Sequence, residues 1–198
     1  MNILKLIKYK LRVFLEVEFQ KPAFFTSDNF RDKKYHIGDY TYGCPEILFD
    51  DADANLTIGK FCSIADGVTI FLGGNHRTDW ITTYPFNMLQ AYFPEAEYNM
   101  GHPATKGNVV IENDVWIGRK VTIMSGINIG NGAVIGAESV VTKDIGAYEI
   151  WAGNPAKFIK KRFDDKTIER LLELQWWDKD LIWIKSNIKH LQSDEFNF

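Results

Sequence analysis

The feature that most constrains this chain is an aliphatic or small residue that recurs at every sixth position between residues 109 and 147. A period of six fits neither an α-helix, which repeats every 3.6 residues, nor a long amphipathic strand, which repeats every two. It fits a solenoid of short strands separated by corners, in which three strands close a triangular coil of about 18 residues. The recurring residues are Ile111, Ile117, Ile123, Ile129, Ile135, Val141 and Ala147.

This period predicts which residues stack in neighbouring coils. Residues about 18 positions apart should lie on one another, with aliphatic side chains pointing into the coil. A glycine follows three of the inward isoleucines and suits the crowded backbone near a corner. The predicted stacks are Ile111 on Ile129 on Ala147, Ile117 on Ile135, and Ile123 on Val141.

The repeat begins earlier in the chain and is interrupted once. A first hexad starts at Ile37, register is lost through residues 43–54, and it returns with an isoleucine at 58, 64 and 70. Ile70 and Ile111 are 41 positions apart, which is not a multiple of six. Residues 71–108 therefore form a long loop that leaves the solenoid, and long loops on rigid scaffolds often carry function.

The flanking segments predict a three-part organisation: residues 1–36, a solenoid over 37–157, and a helical cap over 158–198. Residues 2–19 are predicted to form a helix, basic early and acidic late, that packs on the protein's own assembly or rests on an anionic membrane surface. They resemble neither a transmembrane span nor a signal peptide. In the tail, Asp165 is expected to cap a helix that covers the open solenoid end or packs on a neighbour.

Composition narrows the classes of function. The net charge of −3 gives no electrostatic argument for nucleic acid. The two cysteines, Cys44 and Cys62, have no zinc or disulfide spacing, and Cys62 occupies a slot typical of a small buried residue. We expect a cytoplasmic protein, with the inner face of the membrane as an alternative if residues 2–19 bind lipid.

Four motifs, in order and within the sixfold register, resemble the hexapeptide xenobiotic acetyltransferases. They are residues 58–64 (IGKFCSI), 74–80 (GNHRTDW), 113–118 (NDVWIG) and 153–157 (GNPAK). That family includes streptogramin and chloramphenicol acetyltransferases and enzymes that acetylate surface sugars. The resemblance implies a mainly β fold, a left-handed parallel β-helix, and a homotrimer with active sites between subunits. It also implies acetyl-CoA as donor, bound in the groove between adjacent solenoids, and no metal.

The resemblance implies that His76 is the catalytic residue. Acetyl transfer to a hydroxyl needs a base for the hydroxyl proton and an acid for the leaving thiolate, and a neutral imidazole can serve as both. His76 follows a Gly-Gly-Asn run in the loop, although it also lies six positions after Ile70 and could occupy an inward slot. His102 is the second candidate, whereas His36 and His190 lie outside the motifs.

The group that orients His76 stays open at this stage. Asp79 is near in sequence, but it could instead pair with Arg77 or cap a turn, and a backbone carbonyl could orient the ring. No activated cysteine or serine is evident, so we expect direct transfer in a ternary complex.

The resemblance also implies residues for acetyl-CoA, whereas the aromatic residues near the loop and the first hexad are candidates either to stack on the acceptor or to pack the loop. Trp116 precedes inward Ile117, so alternation turns it outward, onto the pantetheine or onto a neighbouring subunit. Lys143 and Lys160 either meet the CoA phosphates or are simply solvated. The acetyl-CoA candidates are Trp116, Gly118, Gly136, Ala137, Thr142, Lys143, Asn154, Pro155 and Lys160; the acceptor candidates are Tyr40, Tyr42, Asn75, Trp80, Tyr84 and Phe86.

The acceptor is predicted from a departure from the streptogramin enzymes. Only sixteen positions separate Tyr42 from Ile58, and a lysine-rich N-terminal segment is added. Both features resemble the O-acetyltransferases of capsule or lipopolysaccharide synthesis, and this resemblance implies a saccharide hydroxyl of capsule, lipopolysaccharide or a related surface glycan as the acceptor. The alternatives are an antibiotic hydroxyl, the amine of an amino sugar, and a non-catalytic scaffold. A metal-dependent hydratase would need more histidines within the motifs than His76 and His102.

Overall fold

The structure is a computed structural model that describes residues 24–30, 34–50 and 53–194. The predicted helix over residues 2–19 lies outside the described residues. Within them are short strands, three α-helices and three single turns of 3₁₀-helix, at Phe86–Leu89, Pro94–Ala96 and Trp176–Asp178. The helices are α1 (Thr26–Asn29), α2 (Asp165–Leu174) and α3 (Leu181–Leu191). The strands are β1 (His36–Ile37), β2 (Glu46–Leu48), β3 (Leu56–Ile58), β4 (Ser63–Ile64), β5 (Thr69–Phe71), β6 (Val109–Ile111), β7 (Trp116–Ile117), β8 (Thr122–Ile123), β9 (Asn128–Ile129), β10 (Val134–Ile135), β11 (Val140–Val141), β12 (Glu149–Ala152) and β13 (Lys157–Lys161).

The strands form the three faces of a solenoid. The first sheet has the order β1-β3-β6-β9, the second β4-β7-β10-β12-β13, and the third β2-β5-β8-β11. Every pair is parallel except β12 with β13. From β1 to β12, consecutive strands thus lie in different sheets, and the chain returns to the same sheet one coil later. The predicted mainly β fold with parallel sheets is confirmed.

The core is the column of inward aliphatic residues that the sixfold period identified. Ile111, Ile117, Ile123, Ile129 and Ile135 are fully buried. Ile111 pairs with Ile129, Ile117 with Ile135, and Ile123 with Val141, as the spacing predicts. Burying a whole side chain of this size stabilises the fold by about 1.5–3 kcal/mol.

One predicted stack is wrong. Ile145, not Ala147, bridges Ile129, so this coil advances by 16 positions instead of 18. The Asp144 carboxylate accepts the Asn128 backbone N–H at 2.7 Å, a position that a strand carbonyl would otherwise take. The shortened register continues into β12, where Ile150 pairs with Val134.

The first coil also differs from the expectation of lost register. Residues 43–54 contain β2, in which Ile47 pairs with Ile70 of β5. The partners are 23 positions apart here, and Ile37 and Ile58 are 21 apart. The coil continues, but extra residues at its corners hide the strand from a search at a fixed period.

The corner between the first and second sheets is built from residues in the left-handed region. Tyr40, Phe61, Asp114 and Tyr148 have φ between 57° and 62°. Each such residue costs about 1–2 kcal/mol in isolation. Here the ladder offsets that cost: the backbone N–H of Phe61 donates to Asp39 at 3.0 Å, and that of Asp114 donates to Lys60 at 2.9 Å.

The tail packs on this same corner. The Trp176 ring lies 4.8 Å from the Phe61 ring, and Lys60 pairs with Asp178 at 2.9 Å. Helix α2 is capped by Asp164, whose carboxylate accepts the Thr167 N–H at 2.7 Å, and not by the predicted Asp165. In the described part of the chain, no helix is long and apolar enough to cross a membrane.

Candidate active site

The long loop, residues 72–108, is clamped where it leaves the solenoid. Asn75 and Ala104 exchange two backbone hydrogen bonds of 2.9 and 2.7 Å. The Asn75 amide nitrogen donates to Ser125 Oγ at 2.7 Å and to the Ala104 carbonyl. Asn75, which the sequence predicted as an acceptor contact, therefore joins the two ends of the loop to the third sheet's corner.

A glycine allows the chain to turn into this clamp. Gly74 has φ +78°, and a Cβ there would lie 2.3 Å from the Phe49 ring. Any larger residue would collide with that ring as well as adopt an unfavourable conformation. The Gly-Gly-Asn run thus places His76 immediately beyond the clamp.

His76 is exposed and held by a backbone carbonyl. It does not occupy an inward slot, because the chain leaves the core after Leu72, which is fully buried. His76 Nδ1 lies 2.7 Å from the Thr83 carbonyl oxygen. A carbonyl only accepts, so Nδ1 carries a hydrogen, and in the neutral ring Nε2 keeps its lone pair. No bond to Nε2 is formed within the described ranges, so this nitrogen is free to accept a proton.

Asp79, the predicted candidate for orienting His76, binds Arg77 instead. Arg77 Nε donates to Asp79 Oδ1 at 2.7 Å, and a second guanidinium N–H donates to Oδ2. The hydrogen bonds from Arg77 lower the pKa of Asp79 to about 2. The sequence could not name Thr83 as the orienting residue, because it acts through a backbone carbonyl that every residue has.

Aromatic side chains surround this part of the loop. The His102 ring lies 5.2 Å from His76 and 4.8 Å from Trp80. Tyr84 and Phe86 lie 4.8 Å apart and pack against Phe93. Trp80, Tyr84 and Phe86 each keep between 36% and 46% of their surface exposed, enough for a ring-bearing acceptor to contact.

Tyr40 and Tyr42 lie elsewhere in the chain. Tyr40 stacks on Phe61 at 4.8 Å at the corner between the first and second sheets, and Tyr42 stacks on Phe24 at 5.4 Å. The His76 loop leaves from the end of β5 in the third sheet. The acceptor candidates therefore form two separate groups on one chain.

Most of the predicted acetyl-CoA residues share one edge of the solenoid. Gly118 and Gly136 follow β7 and β10, and a Cβ on Gly118 would lie 2.6 Å from the Ala137 nitrogen. In the next coil, Gly153 accepts the Val140 N–H at 3.0 Å and leads into Asn154 and Pro155. At this corner between the second and third sheets, Gly118 is buried under the next coil and Gly136 is half-buried, whereas Ala137, Asn154 and Pro155 are exposed.

The other acetyl-CoA candidates lie on either side of this corner. Trp116 is 57% exposed on the second sheet, so it faces outward as alternation predicts. Lys160 lies on β13 of the same sheet, opposite Ile150. Thr142 and Lys143 follow β11, at the other side of the third sheet.

Sequence reasoning missed a half-buried charge pair beside Trp116. Arg162 Nη1 lies 3.5 Å from Asp114 Oδ2 and donates to the Gly132 carbonyl at 2.6 Å. Burial raises the pKa of Asp114, and Arg162 opposes that shift. The pair joins the tail to the NDVW motif, so Asp114 is engaged in structure.

Cys62 does not supply a nucleophile to this site. Cys62 is fully buried, its Sγ lies 3.0 Å from the Glu112 carbonyl, and burial raises its pKa to about 11. Within the described residues, no group of three or more His, Cys, Asp or Glu side chains is arranged to hold a metal ion.

In the comparison with known proteins, the family match lies within the solenoid. Residues 108–143 match the family described as Bacterial transferase hexapeptide (six repeats). A probable macrolide acetyltransferase of Lysinibacillus sphaericus is 47% identical over 158 residues, which cover 76% of this chain and 88% of that protein. The chloramphenicol acetyltransferase of Klebsiella aerogenes is 42% identical, covering 84% of this chain and 86% of that protein. Virginiamycin A acetyltransferase of Staphylococcus aureus is 49% identical, covering 87% and 80%.

Among solved structures, a hexapeptide-repeat acetyltransferase from Vibrio cholerae aligns with a TM-score of 0.49 and 27% identity. The alignment covers 65% of this chain and 62% of that one, so the chain spans less than two thirds of that protein's length. The identities to the curated relatives, over most of both chains, show that this protein belongs to the hexapeptide-repeat acyltransferases, in the family of the chloramphenicol and virginiamycin acetyltransferases.

Proposed function

We propose that this protein transfers an acetyl group from acetyl-CoA to a hydroxyl of a small ring-bearing acceptor, with His76 as general base. The observation that carries the proposal is the hydrogen bond from His76 Nδ1 to the Thr83 carbonyl, 2.7 Å long. It fixes the tautomer in which Nε2 can accept a proton, and His76 is exposed where the solenoid opens into the loop.

The chemistry follows from that tautomer. His76 Nε2 takes the acceptor's hydroxyl proton as the oxygen attacks the thioester carbonyl, which gives a tetrahedral oxyanion. When the intermediate collapses, the C–S bond breaks and the imidazolium returns the proton to the thiolate of CoA. The Thr83 carbonyl accepts a hydrogen bond throughout and favours the positive charge on the ring.

The proposed assembly is a left-handed coil in a homotrimer, with each site between two subunits. One chain places His76 and Trp80 on the loop but Tyr40 and Tyr42 at a different corner. A second copy could bring the two groups of acceptor candidates together. In the same arrangement, acetyl-CoA would lie along the corner formed by Gly118, Gly136, Ala137, Asn154 and Pro155, beside Trp116.

An antibiotic hydroxyl is the first acceptor class to test. The curated relatives described above, at 42–49% identity, are named for antibiotic acetylation. The partly exposed aromatic rings of the loop suit such a ligand, and the cation beside them, Arg77, is already paired with Asp79.

A saccharide hydroxyl is the second class, and a specific observation favours it. Only 16 positions separate Tyr42 from Ile58. This short connection, with β2 within it, departs from the longer segment of the streptogramin enzymes that the sequence resembles.

The test is release of CoA, followed with a thiol reagent, across chloramphenicol, virginiamycin M, a macrolide and isolated surface glycans. We expect turnover with at least one acceptor, and binding of acetyl-CoA by calorimetry without any acceptor. The acceptor with the highest kcat/KM decides between the two classes. The absence of both turnover and acetyl-CoA binding would refute the proposed activity.

A further inference from the structure

His102 is a buried histidine for which the proposed mechanism has no use. It is 5% exposed, and neither of its ring nitrogens has a hydrogen-bond partner among the residues that the structure describes. Buried polar side-chain atoms are nearly always hydrogen-bonded, because an unpaired one costs free energy. An apolar ring of similar size would fill this place without that cost. The imidazole therefore needs an explanation beyond packing.

The position of His102 connects it to His76. Its ring centroid lies 5.2 Å from that of His76, with the planes at 76°, and 4.8 Å from that of Trp80, with the planes at 72°. The Asn87 amide donates to the His102 carbonyl at 2.7 Å and fixes the backbone. Gly101 has φ +124°, and a Cβ there would lie 3.3 Å from the Trp80 ring. His102 is thus held between Trp80 and the proposed base.

The contact with His102 restrains a rotation of the His76 ring that the hydrogen bond to Thr83 does not prevent. One hydrogen bond at Nδ1 fixes the tautomer of His76, but the ring can still turn about that bond. The His102 ring lies at a steep angle to His76 and limits this rotation. Because the His102 nitrogens have no other partner among the described residues, the ring dipole can also orient toward a positive charge on His76.

We propose that His102 is a positioning residue for His76, one that holds the plane of its ring and stabilises the positive charge it acquires with the acceptor proton. The inference rests on the proposed role of His76 as general base. Two charged groups of the same loop, Arg77 and Asp79, also face this cluster. They bind each other, so their opposite charges largely cancel at His76.

The test compares H102F, which keeps a planar ring without nitrogens, with H102Q, which keeps a polar group. We expect H102F to unfold at the wild-type temperature or above, because two unpaired polar atoms are removed. We also expect its kcat to fall by about tenfold, with an unchanged KM for acetyl-CoA. The acidic limb of its kcat/KM profile, where activity is lost as His76 becomes protonated, should move to lower pH, since the imidazolium loses a favourable neighbour. H102Q should recover part of kcat.

The control is H36Q, which changes an exposed histidine on β1 and should leave every quantity as in the wild type. A folded H102F with wild-type kcat and pH profile would overturn the inference. So would a loss of kcat that only follows a loss of stability, with an unshifted profile. If H102F does not fold, H102Q decides, because a wild-type profile in that variant also overturns the inference.

A parallel H76A variant separates this inference from the proposed function. A large loss in H76A together with a wild-type H102F leaves the general base in place and removes only the role of His102. A fully active H76A together with an inactive H102F would make His102 the base and overturn both.

Discussion

The coils from Val109 to Val141 and the loop of residues 72–108 differ in how deeply their side chains are buried and in how much of their backbone is paired. In the coils, each inward isoleucine is fully buried and each strand pairs with the coil before it, the coil after it or both. In the loop, Ile81, Tyr92 and Tyr98 are almost fully exposed, and regular structure is limited to two turns of 3₁₀-helix.

The difference shows where stability and chemistry reside. The coils have many equivalent contacts, so the loss of one leaves the others in register. The loop depends on a few bonds at its base and on contacts between aromatic rings, and segments with few buried contacts open most easily. The position of His76 therefore depends on a small number of interactions, each of which a single substitution can test.

The largest expected effect is on catalysis in the loop. His76→Ala should lower kcat by roughly 10²–10⁴, the usual contribution of a general base. Affinity for acetyl-CoA, measured by calorimetry, should not change, because the proposed groove lies at another corner. Thr78→Ala, at an exposed position two residues away, is the matched control. Full turnover by the His76 variant, or a trapped acetyl-enzyme, would contradict the mechanism.

The next largest effect is on the free energy of unfolding, and it is tested with one substitution in each of the two regions. Ile117→Ala removes a fully buried side chain from the middle of the second sheet and should lower the free energy of unfolding by about 2–5 kcal/mol. Ile81→Ala, at a fully exposed loop position, should change it by less than about 0.5 kcal/mol. Urea denaturation measures both. An equal cost for Ile81 would show that the assembled protein buries this face of the loop.

A smaller effect is expected at the clamp between the regions. Asn75→Ala removes the amide that donates to Ser125 and Ala104, and should cost about 1–2 kcal/mol. It should also lower kcat, because His76 is the next residue. A double-mutant cycle with Ser125→Ala measures the coupling between the two side chains. Independent, additive effects would show that the bond does not hold the loop.

The smallest effect is expected at Asp79. Asp79→Asn should change kcat by less than about threefold, because an exposed ion pair contributes little and this carboxylate does not touch His76. Its lowered pKa, about 2, means that any stabilisation by the pair is present above the unfolded pKa of about 3.9 and is lost as pH falls toward 2. Any difference in stability between Asp79→Asn and the wild type should therefore be present at pH 7, should be small because the pair is exposed, and should vanish as the pH falls toward 2. A loss of kcat comparable to that of His76→Ala would restore Asp79 as the orienting residue.

Local periodicity predicted much of the solenoid but failed where coils change length. The stacks of Ile111, Ile117 and Ile123 on the next coil follow from a constant spacing. Ala147 was misplaced because Asp144 replaces a strand carbonyl and shortens its coil. Strand β2 was missed because its partner is 23 positions away. Insertions at corners cost little in a solenoid, since each strand needs only its neighbours in adjacent coils.

The candidate site also has features that the sequence identified and features that only the structure decided. The sequence identified His76 as the candidate base from its motif, and it identified Trp116 as outward-facing from alternation with Ile117. It left open whether Asp79 or a carbonyl orients His76, and it grouped Tyr40 with Trp80 in one acceptor site. Residue type decides neither question: the backbone path of the loop brings the Thr83 carbonyl to His76, and the corner at which Tyr40 lies separates it from Trp80.

By itself, the sequence determined that this chain is a solenoid with a six-residue repeat and one long interruption, which contains His76. The reason is that the buried, inward-facing positions require aliphatic or small residues, so these residue types recur at every sixth position of the sequence. Only the tertiary structure decided that the Thr83 carbonyl holds His76, that Asn75 clamps the loop, and that His102 lies buried beside the proposed base. These contacts join residues 7 to 50 positions apart through backbone atoms and ring packing, for which the sequence carries no periodic signal.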